Sequence, residues 1–309
     1  MKVVMRGSRE KIQIAEGHSF RVLRWSHTLR EVECVLGPGQ GTMVAGEGAH
    51  WHFHPEMELT LFGSGEGTRF VGDHMGPFAA GDLVLLGGQL PHYWHTRGPS
   101  SGISLQWHFP EDHSFWAFPE TQLFLELFQR AARGLCFRGG TSLEASRWLH
   151  EITRSSGAVQ LALLLQLLAC LAGAAAGDRR LLSVRTFALP QESHYQKAIA
   201  RSIRYLIANF REPIRLEDLL QVTALSRPTF ARQFKQHAGR PFSEFLNRLR
   251  LQAALRGLTE SDHSILEIAL TCGFSQISFF NRLFRRTYHC SPGEYRQRLP
   301  SKTGRPAPP

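Results

Sequence analysis

The sequence predicts an α+β multidomain protein: an amino-terminal β-barrel, a helical connector, and an all-α carboxy-terminal domain with two helix-turn-helix units. Three observations lead there. Up to about residue 115, short apolar or alternating runs are broken by glycine, proline and acidic turns, as in L-T-L-F-G-S-G-E-G and G-D-L-V-L-L-G-G; such punctuation at short intervals is strand spacing. From residue 116 to 193 apolar residues recur with helical period. From 194 to 298 the chain repeats itself at an interval of 50 residues. A length of 309 residues suits more than one hydrophobic core.

In the barrel, 1–115, the chemistry gathers at His52, His54, Glu58 and His92. Side chains alternate along a strand, so His52, His54 and Glu58 share a face and His92 can approach from a neighbouring strand. Three imidazoles and a carboxylate suit a divalent transition metal, and equally a metal-free polar pocket. Trp51, Phe53, Tyr93, Trp94 and Trp107 crowd the same stretches. Those sharing the inward face, Trp94 first, would wall a small-molecule pocket, and the rest would be core. His50, His74, His95 and His108 match no motif and read as ordinary histidines.

The connector, 116–193, has two amphipathic segments, Leu123 to Arg133 and Ser142 to Ile152. A third, from Val159 to Ala176, is apolar nearly all round. Gln160, Gln166 and Gly173 interrupt it and no targeting pattern surrounds it, so it reads as a buried or dimer-interface helix rather than a membrane span. Charged substitutions at Leu163, Leu164, Leu167 or Leu168 should then disrupt folding or dimerisation. Residues 177–193 form the expected linker, with Pro190 inside it.

The carboxy-terminal domain, 194–298, holds 17 Lys and Arg against 8 Asp and Glu, which is nearly all of the net charge of +10 and marks it for a polyanion. Ser264 followed by Glu267 has the form of a capping box. Ile265, Ile268 and Ala269 then lie on one face, Gly273 makes the corner and Ser275 is placed to cap a second helix. On that helix Phe280 and Phe284 anchor inward and leave Gln276, Ser278, Asn281, Arg282 and Arg285 outside. A shift of 50 superposes Phe230, Arg232, Phe234 and Lys235 on Phe280, Arg282, Phe284 and Arg285. Two helix-turn-helix units follow. Residues 299–309 read as a disordered tail.

Two resemblances sharpen this. L-E-D-L (Leu216 to Leu219), L-S-R-P-T-F-A-R-Q-F-K (Leu225 to Lys235), E-I-A-L-T-C-G-F (Glu267 to Phe274) and S-P-G-E-Y-R (Ser291 to Arg296) make the last third similar to the DNA-binding domain of the AraC/XylS family of bacterial transcription regulators. The resemblance implies two recognition helices in successive major grooves, joined by one long helix, Phe242 to Leu258, and dimerisation through the connector. Leu220 and Ala224 depart from the family's small alanine and turn glycine. Gly46, His52, His54, Glu58 and Gly65, with Gly81 and His92, resemble the cupin motifs; Gly87, Gln89 and Thr96 depart from them where proline, glycine and asparagine are usual.

By periodicity and family pattern together, the first unit offers DNA Arg227, Thr229, Ala231, Arg232 and Lys235, and the second Gln276, Ser278, Asn281, Arg282 and Arg285. Arg reads guanine and Asn reads adenine, so Arg232, Arg282 and Asn281 are base readers, whereas Lys235 and Arg285 are phosphate contacts. The expected protein is a DNA-binding transcription regulator whose effector, a sugar among the candidates, sits in the cupin half against His52, His54, Glu58, His92 and Trp94. No enzymatic activity and no cofactor are expected, and the regulator resemblance favours the metal-free pocket over a divalent metal on His52, His54, Glu58 and His92. The alternative is a metal-dependent cupin enzyme, an isomerase or dioxygenase, with a DNA-binding appendage. Expected partners are promoter DNA, the effector, a second copy of the chain and, for an activator, RNA polymerase, with no membrane. Five cysteines without a C-x-x-C pair and an amino terminus without an apolar signal core point to the cytoplasm.

Overall fold

The computed structural model describes residues 12–46, 48, 50–187 and 195–298. The predicted tail and Pro190 lie outside them. Among the described residues eleven strands form two sheets. The larger has eight strands and runs β11(Arg179–Leu181), β10(Leu135–Phe137), β7(Leu83–Leu86), β4(Met57–Ser64), β9(Ser101–Trp107), β1(Phe20–Trp25), β2(Glu31–Gly37), β3(Gln40–Ala45). The smaller runs β6(His74–Phe78), β5(Gly67–Val71), β8(His92–Thr96). The expected barrel is thus a pair of packed sheets that do not close, with an isolated bridge between His52 and His92 beside them.

Alternation sorts the strands into two cores. On the inward face Leu23, Trp25, Phe62, Val84 and Leu86 of the large sheet meet Val71, Phe78 and Trp94 of the small one. On the outward face Phe20, Val22, Leu59, Leu61, Leu83, Leu85, Leu105 and Trp107 pack against helices α1(Phe124–Ala131), α2(Gly139–Thr153) and α3(Gly157–Ala172). Both faces of the large sheet are covered, which is why Leu83 to Leu86 reads as a continuous apolar run.

The connector is therefore built into the amino-terminal fold, and the division at 115/116 does not separate two cores. β10 pairs with β7, and β11 pairs with β10, so Arg179 to Leu181 is sheet rather than linker. Leu164, Leu167, Leu168 and Leu171 of α3 are fully buried against the sheet. Among the described residues no helix is long and apolar enough to cross a membrane.

The carboxy-terminal domain comprises α4(Gln196–Asn209), α5(Leu216–Thr223), α6(Arg227–Ala238), α7(Phe242–Glu260), α8(Ile265–Thr271), α9(Ile277–Tyr288) and α10(Pro292–Gln297). Helix α7 is shared by two small cores. Its Phe245, Leu246 and Leu249 join Phe230 and Phe234, and its Leu251, Ala254 and Leu258 join Ile268, Phe280 and Phe284. The first of these cores also contains Phe70 and Met75 of the small sheet and Trp51 from the segment before β4. The two halves of the molecule thus dock through apolar contact.

Candidate functional site

Between the sheets, His52, His54, Glu58 and His92 are all buried, and each offers one ligand atom within 4.8 Å of the others. His52 and His54 lie just before β4 rather than on one strand with Glu58, because the chain bends at Pro55 and Glu56. His92 begins β8. Each imidazole is oriented by a backbone carbonyl two residues away: Nδ1 lies 2.8 Å from the His50 oxygen in His52, 3.1 Å from that of Glu56 in His54 and 2.8 Å from that of Leu90 in His92. A carbonyl only accepts, so in each ring Nδ1 carries a proton.

The Nε2 atoms of His54 and His92 converge on Glu58. Its Oε2 lies 3.2 Å from Nε2 of His54 and 3.8 Å from Nε2 of His92. The carboxylate is fixed from behind, since Thr60 donates to Oε1 at 2.6 Å and Gln106 donates to Oε2 at 2.8 Å. Thr60, Ser104 and Gln106 were not predicted. The signal for them is the alternation of Ser104 and Gln106 with Ile103, Leu105 and Trp107 along β9. Burial, reinforced by the neighbouring imidazoles of His92 and His54, lowers the His52 pKa well below the ordinary value. Burial alone would raise the pKa of Glu58, but the histidines outweigh it and hold the carboxyl well below its usual range. Three imidazoles and a carboxylate thus set four ligand-competent atoms around one point, a donor set that fits a divalent cation.

The adjoining cavity, about 40 Å³, is lined by His52, Glu58, Trp94, Trp25, Ser104 and Gln106 among others. This is close to the space of one water molecule, about 30 Å³. Trp107 faces the helical layer instead, and Trp51 packs toward the carboxy-terminal domain.

In that domain the helix-turn-helix reading meets its geometry. Ser264 and Glu267 form the capping box of α8, at 3.1 Å and 2.7 Å. Helix α9 is capped at Gln276 without a side-chain bond, so Ser275 is not its cap. On α9, Ser278, Asn281, Arg282 and Arg285 are exposed one turn apart, opposite buried Phe280 and Phe284. On α6, Ala231, Arg232 and Lys235 are exposed opposite buried Phe230 and Phe234, while Thr229 is half-buried. Arg282 lies over the Phe279 ring at 5.6 Å, and Arg227 is paired with Glu217 at 2.8 Å.

Residues 219–298 match a family model described as a helix-turn-helix domain. The regulatory protein PocR of Salmonella typhimurium is 39% identical over 110 residues, which is 36% of this chain and 35% of PocR. The HTH-type transcriptional activator RhaS of Salmonella schwarzengrund is 43% identical over 93 residues, 30% of this chain and 34% of RhaS. The chain thus spans about a third of the length of the curated relatives it matches. A solved probable AraC family transcriptional regulator from Rhodopseudomonas palustris is 31% identical, with 33% of this chain and 96% of that one covered, at a TM-score of 0.32. Residues 219–298 thus carry a helix-turn-helix domain, as the resemblance to the AraC/XylS family implies.

Two departures from the AraC/XylS pattern now have a structural meaning. Ala224, in the place of the family's turn glycine, adopts the left-handed conformation at φ +56°, as Gly273 does at φ +88° in the second unit. Gln89, where the cupin motif has glycine, also has positive φ, at +64°, and its amide donates to the His54 carbonyl at 2.7 Å. The backbone keeps the geometry and the non-glycine residue bears the strain.

Proposed function

We propose that the protein is a transcription regulator in which α6 and α9 read promoter DNA and the buried histidine cluster between the sheets is the sensing centre. The observation that carries the DNA reading is the pair of equivalent exposed triads, Ala231, Arg232 and Lys235 on α6 and Asn281, Arg282 and Arg285 on α9, held outward by four buried phenylalanines. Arg and Asn at these positions can pair with guanine and adenine edges, and Lys235 and Arg285 with phosphates. Selection of bound fragments from a random duplex pool tests this. The full chain should enrich one motif, and Arg232→Ala with Arg282→Ala should abolish the enrichment. A chain that enriches nothing would remove the reading.

For the sensing centre, the donor set favours a divalent transition metal over the metal-free pocket. His52, His54 and His92 would hold it through Nε2, with Glu58 as the anionic ligand and the backbone carbonyls and Gln106 fixing their orientation. A bound ion would supply a point to which an oxygen or nitrogen atom of an effector could attach. A cavity of about 40 Å³ is far below the roughly 300 Å³ of ordinary ligand pockets, so a sugar-sized effector requires the sheets to part. Metal analysis after purification in metal-replete buffer should give near one ion per chain. Its absence, with unchanged thermal stability on chelation, returns the site to the metal-free pocket. A regulator, rather than an enzyme, is the reading that the relatives' names support. We further propose a homodimer in the cytoplasm, and contact with RNA polymerase if the protein activates.

A further inference from the structure

The space beside the histidine cluster limits what the cluster can receive. At about 40 Å³ it exceeds the space of one water molecule, about 30 Å³, by little, so it admits about two non-hydrogen atoms. One wall is apolar, since Leu23, Trp25, Leu29 and Val32 are buried in the core between the sheets. His52 and Glu58 stand on the same lining.

The polar groups of the lining are engaged with their neighbours. Glu58 accepts from Thr60 at 2.6 Å and from Gln106 at 2.8 Å, Ser104 lies 3.0 Å from the Thr60 hydroxyl, and the Trp25 indole donates to Ser100 at 3.2 Å. Trp94 differs. It is 2% exposed, its ring stands edge-on to His92 with centroids 5.6 Å apart, and its indole N–H has no hydrogen-bond partner. Buried donors without acceptors are rare and costly, so an acceptor belongs beside this ring. An ordered water is the ordinary occupant of such a space. The cluster next to it asks for more. A divalent transition metal that takes more than four ligands would find a further one here. Glu56, 3.5 Å from Nδ1 of His54, adds a second carboxylate to Glu58, so the charge of such an ion is balanced without an anion from outside.

We infer that the effector of the histidine centre is a neutral diatomic gas, nitric oxide or dioxygen, received in this cavity with Trp94 as its hydrogen-bond donor. Such a molecule fits the volume, and the apolar wall favours it over an ion. A diatomic ligand held by a metal at one end offers the other to a donor, and the donors and steric access of the pocket decide which ligand is kept. Trp94 is thus the specificity-determining residue of the centre. The inference rests on the metal reading given above.

The test uses the full chain loaded with iron(II) under argon and titrated with nitric oxide. Binding is read by electron paramagnetic resonance and visible absorption, with iron content measured alongside. The parent should take up nitric oxide in proportion to its iron. Trp94→Phe keeps a ring and removes the donor; it should hold its iron and release nitric oxide about fivefold faster. Val32→Leu enlarges the apolar wall and should weaken binding about tenfold, which also serves where the Trp94 variant does not fold. The cobalt(II) form tells the gases apart: a spectral change under dioxygen that argon reverses assigns dioxygen, and no change assigns nitric oxide. A chain that holds iron yet binds no nitric oxide overturns the inference, leaves the metal reading standing and returns the space to water. Tighter binding of azide than of nitric oxide overturns it too, as do iron-loaded variants that both bind like the parent. A chain that retains no iron removes the metal reading and this inference with it.

Discussion

At the scale of single residues, Arg282 and Lys235 occupy comparable exposed positions and should behave differently. Arg282 is steadied by the Phe279 ring and can present its fork to a base. Arg282→Ala should cost about 1 to 3 kcal/mol of specific binding and relax one operator position. Lys235→Ala should weaken all sequences alike and lower the slope of affinity against salt by about one. Binding titrations on operator variants at several salt concentrations distinguish the two, and unchanged selectivity in the Arg282 variant would take it off the base-reading face. His237 gives a pH prediction. It is buried at the end of α6, its Nε2 has no partner, and burial lowers its pKa to about 4. Between pH 6.5 and 4 the unfolded chain takes up a proton that the folded domain refuses, so stability falls as pH falls through that window. The effect amounts to about 3 kcal/mol. His74, lowered to about 3 by burial and nearby arginines, acts with the same sign. Denaturant titrations should show His237→Gln losing part of the acid sensitivity; an identical pH slope would contradict the assignment.

At the scale of elements, the turn of the first helix-turn-helix unit is strained where the second is not. Ala224 holds φ +56° and Gly273 holds φ +88°. Since a Cβ disfavours the left-handed region by roughly 1 to 2 kcal/mol, Ala224→Gly should stabilise the domain by about 1 kcal/mol in chemical denaturation, less the backbone entropy that glycine adds. A loss of stability would mean that the Ala224 methyl group packs in a way its exposure does not suggest. Helix α3 carries the opposite lesson. The sequence left its leucines to folding or to dimerisation, and Leu164, Leu167 and Leu168 are buried against the large sheet. Leu167→Asp should therefore unfold the sensing half, since a carboxylate forced into that core has no partner. A soluble, folded Leu167→Asp protein seen by circular dichroism would place the helix elsewhere.

At the scale of the whole molecule, the halves dock through aromatic and ionic contacts. Trp51 meets Phe70 and Phe245 edge-on, with ring centroids 6.3 and 6.2 Å apart. Asp73 is approached by Arg240, whose guanidinium also donates to the Asp73 carbonyl. Trp51 precedes His52, and Tyr93, stacked on Phe70, follows His92. The same two short segments thus face the histidine cluster on one side and the carboxy-terminal domain on the other. Trp51→Ala should cost about 3 kcal/mol of docking and split one calorimetric transition into two. A single transition at an unchanged midpoint would show that the halves are held otherwise.

Local signals sufficed for whatever depends on nearest neighbours in the chain. The capping box at Ser264 and Glu267, the outward triads of α6 and α9 and the inward phenylalanines are properties of spacing along one helix, so periodicity and a 50-residue repeat placed them. The four metal-competent side chains were legible for the same reason, as a motif of fixed spacing. Tertiary structure alone decided what each face meets. The sequence could not show that α1 to α3 cover the large sheet, because an apolar helix looks alike against a sheet, a second copy or a bilayer. It could not show that β10 and β11 complete that sheet, because three-residue strands carry too little pattern. Nor could it gather Arg69, Arg138, Arg180 and Arg256 around one cleft, since they come from β5, the start of α2, β11 and α7, far apart in the chain.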